Sequence, residues 1–425
     1  MNSIWTFHSA GSLVFGRGAV AQVGEIARRR GARRAFVVTD RILASNGVLD
    51  QVTASLHVAG VEPVVFDGCV PEPPSDVVMQ ATAAARDARP DILIGLGGGS
   101  NMDTAKLVAV LLAHGGTLDD YVGDCRVPGP VFPLVCVPTT AGTGSEVSAA
   151  AVFTDVAKQI KVSCLSPHIR PAAAVVDPLL TVGCPPKVTA DSGIDALTHA
   201  IEAYTAVDHA EFLTRPPGGE TVYQGKNTMA DYMAAECVTL VGGYLRRAVA
   251  DGSDLEARDK MALAATLGGL AFSNAGVALV HAMEYPVGGA VHVSHGAGNG
   301  LLLPYVMRYN AEVRADEMTA VGLWLSGPGV FAAADEGDGP PDDRLRDASR
   351  RVAEYFDHGV EAAIAAVERL RADTGIPARL RDIGVTEAML TGFAAKAFGI
   401  KRLMRVNPRL PQSADEILGI YRAAF

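Results

Sequence analysis

The chain has 425 residues, 49% of them hydrophobic and 20% charged, with a formal net charge of −10. Its length exceeds one ordinary core and predicts two domains, and its composition fits a globular protein with ample buried surface. The acidic balance argues against a nucleic-acid or anionic-membrane partner, because nothing would neutralise phosphates.

The opening stretch "MNSIWTFHSAGSLVFG" lacks a basic segment followed by an apolar one, and no run of about 18 uncharged apolar residues follows. Neither a signal peptide nor a membrane span is expected. The basic run "ARRRGARR" (27–34) reads as the solvated end of a helix. Buried strands are expected at "RAFVVTD" (34–40), "VEPVVFDG" (61–68), "DILIGLGGGS" (91–100), "FPLVCVPTT" (132–140) and "AAAVVDP" (172–178). Helical periodicity separates them, with Pro74-Ser75-Asp76 as a start signal. Strand–helix alternation of this kind implies a parallel sheet covered on both faces. "SAAAVFTDVAKQIKVSCLSP" (148–167) reads as an antiparallel hairpin turning near Asp155.

From about Val188 the texture changes to Ala-, Leu- and Arg-rich helical stretches. A boundary near "GCPPKVT" (183–189) gives an α/β domain at 1–186 and an all-helical domain at 187–425. "PGVFAAADEGDGPPDDRLRD" (328–347) reads as an exposed loop. The six cysteines are scattered with no CxxC pair, which favours free thiols in a reducing, cytoplasmic setting.

"GLGGGSNMDTAK" (95–106) ends a buried strand and opens a helix. Glycines let the backbone approach a ligand, and the helix N-terminus offers unpaired N–H groups suited to a pyrophosphate, with Ser100 as a further donor. Asp40 ends the first of these strands, where an acid can accept both hydroxyls of an adenosine ribose and would repel a 2′-phosphate, favouring NAD over NADP. The order is the reverse of the usual dinucleotide fingerprint, in which the glycines come first. "PTTAGTGSEV" (138–147) adds hydroxyls at the next strand end, where Thr139, Thr140 and Thr143 can meet a phosphate or ribose.

In "DSGIDALTHAIEAY" (191–204), Asp195 and His199 stand four apart and share one helix face. Alone, such a pair is most often a capped or salt-bridged feature. "VALVHAMEYPVGGAVHVSHGAGNG" (277–300) then supplies His281, His292 and His295 from a chain with only ten histidines. One Asp with several His suits Fe(II), Zn or another first-row divalent ion such as Ni or Mn.

These motifs resemble the iron-containing (group III) alcohol dehydrogenases over nearly the whole length. The match rests on "GGGSNMDTAK", "PTTAGTGSEV", "DSGIDALTHAIEAY" and "VHAMEYPVGGAVHVSHGAGNGLLLPYVMRYN", in that order. The resemblance implies a Rossmann-like NAD-binding domain, an all-α domain and a catalytic metal, Fe(II) foremost, in the cleft between them. It carries metal ligation onto Asp195, His199, His281 and His295, choosing His295 over His292. It carries NAD contacts onto Asp40, Gly98, Gly99, Ser100, Asp103, Thr139, Thr140, Thr143, Lys161 and Leu180. The implied activity is reversible hydride transfer between NAD and a small alcohol, aldehyde or hydroxy acid, in a homodimer or larger homo-oligomer.

The chain departs from the family pattern at two places. Many members carry a proton-relaying His where Tyr285 stands, and a phenol with an ordinary pKa near 10 is a poorer relay at neutral pH. The segment 205–236, with "YQGKNTMAD", looks like the hydroxyacid–oxoacid transhydrogenases, which makes Arg215 and Lys226 candidates for facing an anionic substrate. A transhydrogenase with retained nicotinamide is thus the nearest alternative. A dehydroquinate synthase-like cyclase and a non-catalytic binding protein stand further off.

Overall fold

The computed structural model describes residues 4–155, 160–326 and 358–425. The Gly-, Pro- and Asp-rich run at 328–347 and the hairpin turn after Asp155 lie outside the described residues.

The first half is built on a six-stranded sheet. It comprises β1 (Leu13–Phe15), β2 (Arg34–Val38), β3 (Glu62–Phe66), β4 (Ile92–Gly97), β6 (Leu134–Pro138) and β9 (Ala173–Val176). The order is β1-β9-β6-β4-β2-β3 and every pairing is parallel. β4 is buried from end to end, as a strand covered on both faces must be, and its unbroken apolar run "ILIGLG" follows from that position. Crossovers are made by α1 (Val23–Arg29), α2 (Arg41–Ser45), α3 (Val48–Val58), α4 (Ser75–Ala88) and α5 (Gly99–His114). A second, three-stranded sheet joins β5 (Gly123–Asp124) to the antiparallel hairpin of β7 (Ala150–Asp155) and β8 (Ile160–Leu165). Five of the six large-sheet strands were legible in the sequence. β1 was not, because three residues at an edge give too short a pattern.

The chain runs outward from β2 to β3, then returns past β2 to β4 and continues to β6 and β9. The reversal puts a crevice beside the carboxyl ends of β2 and β4, the usual ligand position in such sheets. Asp40, the turn after Gly97 and the loop after Pro138 meet there, because Val38 pairs with Gly95 and Gly97 with Pro138.

The second half is helical: α6 (Pro186–Thr205), α7 (His209–Phe212), α8 (Thr228–Ala250), α9 (Leu255–Ala275), α10 (Leu279–Val291), α11 (His295–Asn310) and α12 (Ala315–Ser326), then α13 (Gly359–Asp373), α14 (Glu387–Gly399), α15 (Lys401–Val406) and α16 (Ala414–Ala424). α6 is the hub, packed by α8, α9 and α11, and it is apolar around most of its circumference. The loop after β6 docks onto this bundle through a glycine pair, since a Cβ on Gly144 would stand 2.3 Å from the Gly269 Cα on α9. No single described helix is long and apolar enough to cross a membrane. All six cysteines are free thiols.

The segment at 205–236 is a structural strap. The His209 ring bonds the carbonyls of Gln224 and Ile4 at 2.6 and 3.0 Å, tying down the N-terminal strand of chain. Arg215 pairs with Glu211 and donates to the carbonyls of Arg405, Asn407 and Pro408. Lys226 pairs with Asp231 at 2.9 Å and stands over the Tyr204 ring. Both cations are therefore committed to packing, and neither lines the central cavity, contrary to the expectation that they face a substrate anion.

Candidate metal and cofactor site

A cavity of about 190 Å³ lies between the two halves. Ten of the sequence-derived positions line it: Gly99, Ser100, Asp103, Thr143, Lys161, Asp195, His199, His281, Tyr285 and His295. One wall is thus the N-terminus of α5 and the other is formed by α6, α10 and α11.

On the helical side, single ligand atoms of Asp195, His199 and His281 all lie within 4.8 Å of one another. Asp195 and His199 share a face of α6, while His281 projects from the first turn of α10. The His199 ring stacks on Phe272 at 4.3 Å and on His281 at 4.8 Å. Burial pushes the His199 imidazole pKa down to about 3, so the ring is neutral near pH 7, as metal ligation requires. Burial works against ionised Asp195, yet the nearby imidazoles outweigh it and hold the carboxyl below its usual pKa.

His295 is the first residue of α11 and sits at the rim, its side chain 32% exposed. It is outside the tight trio, but its Nε2 and that of His281 are each 3.2 Å from the Asn299 amide nitrogen, which also donates to Asp195 at 2.8 Å. Its helix can come this close because the next residue is glycine; a Cβ on Gly296 would stand 1.9 Å from the Asp191 carbonyl oxygen of α6. His292 is exposed, with φ of 54° at the C-cap of α10, and takes no part.

Sequence reasoning missed the braces behind these ligands. Glu202 accepts from His281 Nδ1 at 2.5 Å and Glu284 from His295 Nδ1 at 2.5 Å, which leaves each Nε2 free for the centre. The signal was present, since Glu202 stands three residues after His199, Glu284 three after His281, and Asn299 four after His295. Glu284 stays ionised: burial opposes its charge, but His295 and Lys161 overcome it.

The residues fit a divalent cation. Nδ1 of His199 and Oδ1 of Asn299 are buried without a hydrogen bond, although the Gly142 backbone lies near the His199 ring. Three acceptors crowd one amide nitrogen, a cluster of lone pairs that a cation relieves. The N/O donor set admits Fe(II), Zn, Ni or Mn.

On the sheet side, Gly99 leaves Thr143 no room to lose, as a Cβ there would meet the Thr143 methyl at 2.8 Å. A Cβ on Gly98 would stand 3.6 Å from the Thr140 side chain, an ordinary contact. The Thr139 amide donates to the Gly97 carbonyl, joining the two strand-end loops. Asp103 accepts from Ser145 Oγ at 2.6 Å and from the Val152 amide at 2.9 Å. One Asp40 oxygen caps α2 through the Ile42 and Leu43 amides, and the other accepts from Asn101 at 2.7 Å. Lys161 lies between Glu72 (2.7 Å) and Glu284 (3.5 Å), which outweigh its burial and raise its pKa. Asp40, Gly98, Thr139, Thr140 and Leu180 stand outside the cavity lining, and Leu180 packs in the apolar cluster beneath the sheet with Val137 and Val175.

Tyr285 lines the cavity, its ring centroid 6.0 Å from that of His295. Burial raises its phenol above the usual value, although a hydrogen bond to Arg402 works the other way, so it is a neutral donor near pH 7.

Comparison with known proteins finds matches along nearly the whole chain. Residues 10–178 match the model of the iron-containing alcohol dehydrogenase family, and residues 221–425 match that family's C-terminal model. The chain is 39% identical to long-chain-alcohol dehydrogenase 1 of Geobacillus thermodenitrificans over 96% of its own length and 94% of the relative's. It is 35% identical to the NAD-dependent methanol dehydrogenase of Bacillus methanolicus, covering 95% of each. A crystal structure of 1,3-propanediol oxidoreductase superposes with a TM-score of 0.86 at 34% identity, covering 100% of both chains.

Proposed function

The chain belongs to the iron-containing alcohol dehydrogenase family, and from that premise we propose that its central cavity interconverts a small alcohol and the matching aldehyde or ketone with NAD. The enzyme is an NAD-dependent oxidoreductase of alcohols and aldehydes with a divalent metal. The observation that carries the site assignment is the convergence of Asp195, His199 and His281 in the same cavity as Gly99 and Ser100.

When bound, the metal supplies Lewis acidity towards an alcohol or carbonyl oxygen and the nicotinamide supplies the hydride acceptor. Asp195, His199, His281 and His295 would hold the cation. The α5 N-terminus with Gly98, Gly99 and Ser100 would offer backbone amides and a hydroxyl to the pyrophosphate. Asp40 would meet the adenosine ribose, Thr139, Thr140 and Thr143 the adjoining phosphate and ribose oxygens, and Leu180, in the apolar cluster beneath the sheet, would support them from below. Phe153, Val277 and Phe272 exclude water from the reacting end. The Tyr285 hydroxyl keeps its proton near neutral pH, so it orients a substrate or water oxygen rather than acting as a base.

Arg215 and Lys226 are taken up in the strap and lend no support to an anionic substrate, so the hydroxy-acid and transhydrogenase readings rest on the "YQGKNTMAD" resemblance. Among the described residues, the Lys or Arg side chain on the cavity wall is Lys161, and it is already shared by two carboxylates. We place the division between the two domains near residue 186, where α6 begins. A homodimer or larger assembly in the cytoplasm completes the proposal. The test is a spectrophotometric panel of alcohols, hydroxy acids and aldehydes with NAD(H), on protein reloaded separately with Fe, Zn, Ni or Mn. NAD-linked turnover of neutral alcohols is expected; exchange between hydroxy and oxo acids without free NADH would replace this reading with the transhydrogenase.

A further inference from the structure

Glu284 is fully buried on α10, and the assignments above give it no contact with substrate or cofactor. The fold nevertheless clears a slot for it. A Cβ on Gly298 would meet Glu284 Cγ at 2.8 Å, and one on Gly288 would stand 2.2 Å from Glu284 Oε1 and 2.8 Å from Lys161 Nζ. A buried carboxylate is costly unless its oxygens are engaged, and both are: Oε2 holds His295 Nδ1 while Oε1 faces Lys161.

His295 has more need of such a brace than the other ligands. Asp195, His199 and His281 are enclosed by packed helices, whereas His295 starts α11 at the rim with a third of its side chain exposed. The contacts then continue in the other direction. Lys161 reaches Glu72 at 2.7 Å, and the Glu72 amide donates to Ser100 Oγ at 3.1 Å, in the cradle at the start of α5. One chain of polar contacts thus runs from the cofactor cradle to the rim ligand of the metal.

We propose that Glu284 is a positioning residue that fixes the His295 ring for the metal, and that Lys161 ties this brace to the cofactor cradle, so that metal and dinucleotide bind with coupled affinities. The proposal rests on the metal-site reading above. A ligand's carboxylate partner fixes its tautomer and orientation, and losing one typically lowers metal affinity 10- to 100-fold. Coupling between two sites is reciprocal, so it can be read from either ligand.

The test uses full-length, metal-stripped protein. Co(II) affinity is measured by chelator competition, the bound-Co(II) visible spectrum is recorded, and NADH affinity is measured by fluorescence with and without Co(II). Glu284→Ala should bind Co(II) about 10- to 100-fold more weakly, with an altered spectrum. Glu284→Gln keeps the shape and a neutral acceptor for His295 Nδ1–H, and should recover part of that loss. In the parent protein Co(II) should change NADH affinity by at least about 5-fold, and in Lys161→Met that factor should approach one. If both Glu284 variants bind Co(II) as the parent does, with its spectrum, the positioning role is overturned. An equal coupling factor in Lys161→Met overturns the link, as does its absence in the parent. A parent protein that takes up no Co(II) would instead overturn the metal-site reading itself.

Discussion

The two walls of the cavity are built in opposite ways. The core of the sheet wall is backbone and short side chains in two continuous stretches, 97–103 and 138–145, at neighbouring strand ends, flanked by Glu72 and by Phe153 and Lys161 of the β7–β8 hairpin. The helical wall is made of long side chains from α6, α10 and α11, each ligand helix also carrying a polar residue, Glu202, Glu284 or Asn299, that bonds a ligand. A dinucleotide needs a broad surface of amides and hydroxyls, which local loop geometry provides. A metal needs a few lone pairs aimed at one point, which only the packing of separate helices provides.

Breaking the helical wall should cost most. Asp195→Ala is expected to abolish metal retention and lower kcat/KM by about 10³-fold or more, given the several kcal/mol a metal contributes as a Lewis acid. Elemental analysis beside NADH formation checks it, and retention of metal at normal stoichiometry would sink the ligand assignment. NADH affinity of the stripped variant should stay within the range of the stripped parent, because the sheet wall is untouched.

Breaking the sheet wall should move the cofactor terms and, in nucleotide-free protein where the coupling proposed above does not act, leave the metal terms unmoved. Gly99→Ala places a Cβ 2.8 Å from the Thr143 methyl and closes the approach to the cradle. KM for NAD should rise about 10-fold, equivalent to roughly 1.4 kcal/mol of binding, while metal content is unchanged. A fall in metal content would show that the walls are not separable in this way.

Acidification distinguishes the walls without mutation. In metal-stripped protein the folded pKa of His199 is depressed to about 3 from an ordinary value near 6.5. The unfolded chain therefore binds the extra proton first, so stability is present above about pH 6.5 and falls as pH drops towards 3, by up to a few kcal/mol. Chemical denaturation across that range should show the slope, and it should shrink in His199→Asn. An unchanged slope in the variant would remove His199 as its source.

Asp40→Gly tests the smallest effect. It removes the carboxylate that caps α2 and faces Asn101. NAD preference should relax towards NADP by about a factor of ten or less, with no metal lost and Tm lowered by about a degree or less, as replacing a cap by glycine costs only about a few tenths of a kcal/mol. Equal cofactor ratios in the two proteins would assign Asp40 to capping alone.

Much of the architecture was legible because it is local. Strand–helix alternation, the glycines after β4 and the Asp195–His199 pair are each contained in one short stretch, where periodicity and turn chemistry act directly. The same holds for the doubt over His292 and His295: spacing leaves both open, and the structure separates them because the first caps α10 in a left-handed conformation while the second starts α11 against α6. Arg215 and Lys226, candidates for a substrate anion by charge alone, could not be placed from sequence for the complementary reason. A cation's charge is visible in sequence, but the carbonyls and carboxylates that consume it come from chain positions far away, such as Asn407 and Pro408.

The sequence by itself determined the class of fold, the glycine-rich turn after β4 and the kind of donor atoms available, because these depend on residue type and spacing along one element. Only the tertiary structure decided which acids brace which histidines and that Lys161 stands between two carboxylates. Those are contacts between separate elements, some adjacent in the chain and some far apart, fixed by helix packing and by glycines that permit close approach at Gly144, Gly288 and Gly296. No local pattern encodes the distance at which two helices meet, and that distance sets the geometry of the cavity.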